Sequence, residues 1–179
     1  MNLPNHLGGH RNRTHVDKSS LDFLIKNFHV KSFLDIGCGP GGMVLQALSL
    51  GLKATGIDGD FTLKKEDWRI IHDFTSGPIE IEKADLGWSV EFLEHVEKKY
   101  ICNYMSAFAR CNYVVSTHAP RNKKGHHHVN LENDSYWIDV FENYNFTFLP
   151  KETEEVRKTS NMKRDFMRNT GLVFKNKLS

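Results

Sequence analysis

The apolar and polar residues of this chain follow two periods, one typical of amphipathic helices and one typical of buried strands. Residues 19–28 place Leu21, Leu24 and Phe28 on one helical face, and Ser20 is the predicted N-cap. Short apolar runs that predict strands occupy residues 31–38, 53–60, 68–74, 83–90, 111–120, 146–150 and 171–177. Further helical patterns occupy residues 41–51, 91–110, 133–144 and 152–167.

This alternation predicts an α/β fold, in which a largely parallel sheet is covered by helices on both faces. Ligands of such folds bind beyond the carboxyl ends of the strands. The functional residues are therefore expected along one rim of the predicted sheet. The segments that the pattern places on this rim are residues 37–42, Asp58, Asp73, residues 89–91 and residues 116–118.

Composition narrows the class of protein without identifying it. The 179 residues suit a single domain, and the formal net charge of +2 is too small to argue for nucleic acid by itself. The three cysteines lack metal-type or redox-type spacing, which favours a reduced, cytoplasmic setting. No segment approaches the roughly 20 apolar residues of a membrane helix, so we expect no membrane partner. Nothing in the sequence indicates an oligomeric state.

A glycine motif, Gly37-x-Gly39-x-x-Gly42, stands between the first predicted strand and the next helix. In this setting the motif is typical of a nucleotide-like ligand held at a helix N-terminus. Asp58 follows Gly39 by 19 residues, at the end of the next predicted strand, where a carboxylate can accept hydrogen bonds from ribose hydroxyls. Both NAD and S-adenosylmethionine satisfy this pattern.

Asp35, two residues before the first glycine, distinguishes the two cofactors. A dinucleotide would bring an anionic pyrophosphate to the loop, and a neighbouring carboxylate would repel it. S-adenosylmethionine brings an ammonium and a sulfonium, which an acidic neighbour stabilises. The residues therefore favour S-adenosylmethionine, with an NAD site or a ligand-free turn as the alternatives.

The run "LDIGCGPGG" resembles the first motif of class I S-adenosylmethionine-dependent methyltransferases, and residues 85–96 resemble their fourth-strand motif. The resemblance covers about residues 31–146. It implies a Rossmann-like sheet of seven mostly parallel strands, whose last, antiparallel strand residues 171–177 could supply. It also implies that Asp73 accepts from the adenine amine and that Phe74 flanks the ring. The cofactor-binding residues implied are Asp35, Gly37, Cys38, Gly39, Asp58, Gly59, Asp73, Phe74 and Ser89.

A second group of residues has the character of a partial metal site. Glu91, Glu94 and His95 are three and four positions apart, so on a helix they would share one face. Carboxylates and imidazoles suit a divalent ion. The Glu-x-x-Glu-His spacing, with His128 further along, resembles metal-dependent 2′-O-methyltransferases that modify small RNAs. That resemblance implies a metal site formed by Glu91, Glu94, His95 and His128. Alternatively, hydrogen bonds within this group hold the loop to the helix, or the His126–His128 tract is idle in solvent.

The residues that would bind or deprotonate the methyl acceptor are indicated more weakly by the sequence. Methyl transfer mainly requires alignment of the nucleophile with the methyl group, and a histidine suits the deprotonation of an oxygen or nitrogen acceptor. The catalytic candidates are His95, His118 and His128, and the substrate candidates are His15, Trp88, His126 and Trp137. Residues 1–18 are a polar segment, a candidate lid in which His10, Thr14, His15 and Asp17 can contact ligands.

Three functions follow from these interpretations. The first is methyl transfer to an oxygen or nitrogen atom of a small-molecule or sugar-like acceptor, because one domain spanning residues 1–179 leaves no room for a large recognition domain. The second is metal-assisted 2′-O-methylation of RNA, and the third is a non-catalytic module that binds S-adenosylmethionine. Residues 151–179 hold eight Lys/Arg against four Asp/Glu. Such a basic surface suits a phosphorylated substrate, an acidic substrate or RNA, although a solvated face is the preferred interpretation.

Overall fold

Seven strands form one sheet in the computed structural model, which describes residues 2–179. The strands are β1 Ser32–Ile36, β2 Lys53–Asp58, β3 Arg69–Ile71, β4 Ala84–Ser89, β5 Cys111–Ser116, β6 Phe146–Phe148 and β7 Leu172–Asn176. Their order across the sheet is β3-β2-β1-β4-β5-β7-β6. All neighbouring pairs are parallel except those that involve β7, which runs antiparallel to β5 and to β6. The predicted seven-stranded, mostly parallel sheet is therefore confirmed.

Helices cover both faces of the sheet. They are α1 Lys18–Phe28, α2 Gly42–Ser49, α3 Ile101–Phe108, α4 Asp134–Asn143, α5 Pro150–Thr159 and α6 Phe166–Thr170. Successive residues of β1 point to opposite faces, so Phe33 packs with α1 and α2 while Leu34 packs with α3 and α4. Burial on both faces explains why the central strands have continuous apolar runs. No helix among the described residues combines the length and apolar character that crossing a bilayer requires.

The prediction of one helix over residues 91–110 is wrong. The structure has two short 3₁₀ turns, Leu93–His95 and Lys98–Tyr100, and the α-helix begins only at Ile101. Glu91 has a positive φ of 54°, and Val96 is extended between the two turns. Consequently the shared helical face that we expected for the glutamates and His95 does not exist.

The reason for this difference lies outside the segment. The backbone carbonyl of Glu94 accepts from the amides of Val129, at 2.9 Å, and Asn130, at 3.1 Å. Both amides belong to the loop after β5, so tertiary hydrogen bonds replace those that a helix would have made. The segment and the loop are thereby held together at the carboxyl end of the sheet.

Two other predictions about helices are also wrong. Residues 152–167 form parts of α5 and α6, which are separated by residues 160–165, rather than one helix. Asp17, not Ser20, is the N-cap of α1, since its Oδ1 accepts from the amide of Ser20 at 3.1 Å. The same oxygen accepts from the amide of Asn161 at 3.2 Å. One buried carboxylate thus caps α1 and fixes the segment that interrupts the predicted helix.

Candidate cofactor and acceptor site

A cavity of about 500 Å³ opens at the carboxyl ends of β1, β2 and β4. Its lining includes three acids, Asp35, Asp58 and Asp73, which come from the ends of β1 and β2 and from the residues after β3. The N-terminal segment and the loop after β5 complete the walls. The cavity therefore lies at the rim where α/β folds bind ligands.

The glycine loop forms the floor of this cavity and needs its glycines for two reasons. Gly37 and Gly41 have positive φ values of 78° and 91°, which residues with a side chain rarely adopt. A Cβ at Gly37 would lie 2.6 Å from the Phe92 ring, and one at Gly41 would lie 2.1 Å from the Trp68 ring. The loop is thus both turned sharply and packed closely against two aromatic rings.

Asp35 is the most unusual acid of the cavity. Its side chain is buried, and neither carboxylate oxygen accepts a hydrogen bond from residues 2–179. Burial, with the charge of Asp58 adding to it, raises the pKa of Asp35 to about 8. A buried carboxylate without partners is costly, and a cationic ligand in the cavity would relieve that cost.

Asp58 and Asp73 are instead held in place by backbone amides. Asp58 accepts from the amide of Gly39 at 2.7 Å and from the amide of Asp60 at 2.9 Å. Asp73 accepts from the amide of Thr75 at 2.8 Å and caps the 3₁₀ turn Phe74–Ser76. These contacts fix the carboxylates beside the glycine loop, and each retains further lone pairs for a ligand.

Most of the predicted cofactor-binding residues reach the cavity. Those that line it are Asp35, Gly37, Cys38, Gly39, Asp58, Gly59, Asp73 and Phe74. Ser89 does not line it, because its hydroxyl is buried and donates to the carbonyl of Ile36 at 2.9 Å. Ser89 therefore joins β4 to β1 beneath the site.

Glu94, His95 and His128 come together on the opposite wall. Each offers a ligand atom, and these atoms all lie within 4.8 Å of one another. Both carboxylate oxygens of Glu94 and Nδ1 of His95 are buried without a hydrogen-bond partner among the described residues. His128 uses Nδ1 to donate to the carbonyl of Lys123 at 2.8 Å, which leaves its Nε2 available. The three side chains lie close together, but they do not form hydrogen bonds with one another.

Burial dominates the electrostatics of this group. Burial, and next the charge of Glu91, raises the pKa of Glu94 well above its usual range. Burial, and next the charge of His128, lowers the pKa of His95 to about 4, so this imidazole is neutral at pH 7. Neutral imidazoles beside a carboxylate are the donors that a borderline divalent metal binds.

Glu91 is placed apart from that group. Its Oε1 accepts from the hydroxyl of Thr117 at 3.2 Å, and its Oε2 lies 3.4 Å from the ammonium of Lys123. Its amide donates to the same Thr117 at 2.9 Å, which stabilises the positive φ of this residue. Glu91 lines the cavity, and its charge is already partly offset by Lys123.

The histidine and tryptophan candidates fall into two groups. His15, Trp88, His95, His126 and His128 line the cavity. His118 and Trp137 do not line it, because both side chains are buried. Nε2 of His118 donates to Oδ1 of Asp134 at 3.0 Å, and the centres of the His118 and Trp137 rings are 6.2 Å apart. This hydrogen bond, with a further contribution from Arg157, lowers the pKa of Asp134 to about 2. His118 therefore anchors the start of α4 rather than facing a ligand.

Residues 2–17, the N-terminal lid, cross the mouth of the cavity. Nε2 of His6 lies 2.8 Å from Oδ2 of Asp73, and Nε2 of His10 lies 3.0 Å from Oδ2 of Asp60. His6 and Asp60 were missed by sequence reasoning. The second acid of "GIDGD" was a visible signal for Asp60, whereas nothing in the local pattern distinguishes His6.

The N-terminal lid also contacts both walls of the cavity. The hydroxyl of Thr14 accepts from the amide of Gly42 at 3.0 Å, at the start of α2. The carbonyl of Leu7 accepts from Nε2 of His126 at 3.1 Å, on the acceptor side. The lid therefore joins the glycine loop to the histidine-bearing loop.

Trypsin cleavage at Arg11 and Arg13 is expected to accelerate when His6 and His10 are both replaced by alanine. Each lost hydrogen bond contributes about 1 kcal/mol, which raises the open fraction of the lid about fivefold per bond. Cleavage rates followed by mass spectrometry check this, with His29→Asn, outside the cavity, as the control. Equal rates for the double variant and the wild type would show that these contacts do not hold the lid.

Comparison with known proteins decides the class of this fold. Residues 34–116 match the family model described as "Methyltransferase domain". This segment is therefore similar to methyltransferase domains. This match, together with the sheet order, confirms the prediction of an S-adenosylmethionine-dependent methyltransferase that was made from the glycine loop and Asp35. A comparison with curated proteins finds no match to the chain.

Solved methyltransferase structures share the fold at low sequence identity. A TehB-like SAM-dependent methyltransferase from Corynebacterium glutamicum is 15% identical, with a TM-score of 0.63 over 89% of this chain and 86% of that one. The methyltransferase domain of bacterial CtHen1 is 13% identical, with a TM-score of 0.59 over 94% of this chain and 100% of that one. The plantazolicin methyltransferase BpumL in complex with SAH is 15% identical, with a TM-score of 0.56 over 89% and 82%. At these identities the likeness shows the methyltransferase fold.

Proposed function

We propose that this methyltransferase transfers the methyl group of S-adenosylmethionine to an oxygen or nitrogen atom of a small-molecule or sugar-like acceptor. The observation that carries the proposal is the pairing of Asp35, a buried carboxylate without a partner, with a lined cavity of about 500 Å³. Cavities of this size are typical of sites for small ligands. The cofactor and a compact acceptor would fill a cavity of this volume, so a polymeric acceptor is not needed to explain it.

The acids around the glycine loop support one orientation of the cofactor. Asp35 is suited to the ammonium of the methionine end, because a cation stabilises its ionised form. Asp58 is suited to the ribose hydroxyls, and Asp73 with Phe74 to the adenine. In this orientation the sulfonium methyl group would face the wall formed by His95 and His128, which line the same cavity.

The chemistry on that wall is alignment and removal of one proton. The acceptor atom displaces the methyl group from sulfur, so the protein must mainly hold the two in line. His128, whose Nδ1 donates to the carbonyl of Lys123, keeps its Nε2 free, and we assign to it the removal of the acceptor's proton. His95 is neutral at pH 7 and provides a second acceptor of hydrogen bonds.

A second candidate function is metal-assisted 2′-O-methylation of RNA, favoured by the group of Glu94, His95 and His128. Both carboxylate oxygens of Glu94 and Nδ1 of His95 are buried without a hydrogen-bond partner among the described residues. One ligand atom from each of Glu94, His95 and His128 lies within 4.8 Å of the other two, and this arrangement fits a divalent ion. Glu94, His95 and His128 would hold that ion. Such an ion would supply positive charge that favours the ionised form of an acceptor hydroxyl.

A methyl-transfer assay separates these candidates. Tritiated S-adenosylmethionine is incubated with the full chain and with fractionated metabolites, glycans and RNA, in the presence of Mn²⁺ and in the presence of EDTA. We expect EDTA-resistant label in a metabolite or glycan fraction. Label in RNA that EDTA abolishes would support the second candidate, and no binding of S-adenosylmethionine at millimolar concentration would overturn both.

A further inference from the structure

The arginines of this chain divide into two groups by their contacts. Among residues 2–179, five of the eight donate hydrogen bonds to carbonyls or carboxylates, namely Arg69, Arg110, Arg121, Arg157 and Arg168. The guanidinium groups of the other three, Arg11, Arg13 and Arg164, donate none to the described residues. All three line the same cavity. The described arginines whose guanidinium groups make no hydrogen bond are therefore all found at one site.

Two of these arginines converge with a lysine on His15. The pKa of His15 is lowered by burial and then by the positive charges of Arg164, Arg13 and Lys123. The imidazole of His15 lies edge-on to the Phe166 ring at 4.9 Å, and the ammonium of Lys123 lies 4.3 Å above that ring. Three cations from separate segments, the lid, the loop after β5 and the residues before α6, thus surround one part of the cavity.

The acids of the cavity do not balance this charge. Asp35, Asp58 and Asp73 belong to the ends of β1 and β2 and to the residues after β3, on the cofactor side. The carboxylate near the cations is Glu91, at 3.4 Å from Lys123. Arg13 and Arg164 form no ion pair within the part of the chain that the structure describes. The cation side of the cavity therefore has a local excess of positive charge and free planar donors.

We propose that Arg13, Arg164 and Lys123 bind an oxyanion, a phosphate or carboxylate group, carried by the methyl acceptor. The proposal rests on the proposed function and specifies its substrate class as an anionic small molecule. Guanidinium groups bind both oxyanions in a bidentate manner, which gives affinity and orientation together. Held there, the acceptor would extend its nucleophilic atom toward His128, since Lys123 contacts that histidine through its carbonyl.

Inorganic phosphate and acetate are the probes for this site. NMR titrations of the full chain follow the ring signals of His15, which a His15→Gln variant assigns. We expect phosphate, acetate or both to shift these signals saturably and to raise the pKa of His15, because an anion offsets the three cations. The tighter-binding probe identifies the anionic group of the acceptor.

Matched substitutions show whether the effect is specific. Arg13→Ala and Arg164→Ala are expected to weaken anion binding by about tenfold each, the loss of one charged contact. Lys163→Ala removes the same charge from the adjacent residue, which does not line the cavity, and is expected to leave anion binding unchanged. An equal effect of Lys163→Ala, or the absence of saturable binding of either anion, would overturn the proposal.

Two further measurements separate this proposal from the others. Calorimetry with S-adenosylmethionine is expected to give the same affinity for the wild type and Arg164→Ala. If the cofactor binds and the anions do not, only the anionic substrate class is wrong; if the cofactor does not bind, the proposed function is wrong. The affinity for a short RNA is also measured at several salt concentrations. If the RNA binds, if its affinity falls with salt as expected for several ion pairs, and if phosphate does not bind, the site is a nucleic-acid surface and the small-anion proposal is overturned.

Discussion

Replacing Asp35 by asparagine is expected to weaken S-adenosylmethionine binding by between about tenfold and about a hundredfold. The substitution removes the negative charge that faces the methionine ammonium, and one charged hydrogen bond contributes roughly 1.5–3 kcal/mol. Calorimetry with the wild type and the variant measures the change. Asp22→Asn, an exposed site on α1, is the matched control.

The same variant is expected to retain its fold and to gain stability relative to the wild type as pH rises. The native pKa of Asp35 is about 8, above the unfolded value near 4, so its contribution to folding is fully present below pH 4 and is lost as pH rises toward 8. Between pH 6 and pH 8 the difference in free energy of unfolding should widen by about 1.4 kcal/mol per unit. Urea unfolding of the ligand-free protein measures it. Unchanged cofactor affinity would contradict the role given to Asp35.

Replacing Glu94 by glutamine is expected to reduce the affinity for Mn²⁺ at least about tenfold. Replacing a residue that only supports a metal ligand already costs about this much, and Glu94 would be a ligand itself. Glutamine keeps the size of the side chain, and the backbone carbonyl of Glu94 still accepts from Val129 and Asn130. The loop should therefore stay in place while the ligand set loses its charge. Titration calorimetry with Mn²⁺ measures the affinity.

Glu97→Gln serves as the control for this experiment, since Glu97 is exposed two residues beyond His95 and lies outside the three-residue group. It should bind Mn²⁺ as the wild type does. If the wild type binds no Mn²⁺, the metal-assisted candidate fails. In that case a loss of methyl transfer in Glu94→Gln would mean that the group acts through hydrogen bonds.

The sheet and the glycine loop could be predicted because their signals are local. The run around β1 is apolar on both faces and is followed at once by Gly37, and Asp58 stands at the expected distance at the end of β2. These features need no knowledge of distant contacts. The roles of the cofactor-side acids stay predictions, although the structure brings Asp35, Asp58 and Asp73 to one cavity.

The remaining features depend on contacts between distant segments. Both Asp17 and Ser20 are suitable N-caps, and the choice of Asp17 is fixed by its bonds to Ser20 and to Asn161. The turn at Leu93–His95 replaces a helix because loop amides far along the chain bind the carbonyl of Glu94. Local periodicity contains no information about either partner.

The position of the N-terminal lid has a consequence for the kinetics of turnover. It contacts Asp73 through His6, and it contacts His126 through the carbonyl of Leu7, on the other wall of the cavity. If the cofactor and the acceptor both bind in this cavity, one opening of the lid would admit or release both of them. Methyl transfer would take place while the lid is closed, and product release would require the lid to open. The slower of these two steps would then set the turnover rate. Opening of a segment with no apolar periodicity would then be the rate-limiting step of turnover whenever it is slower than the chemistry.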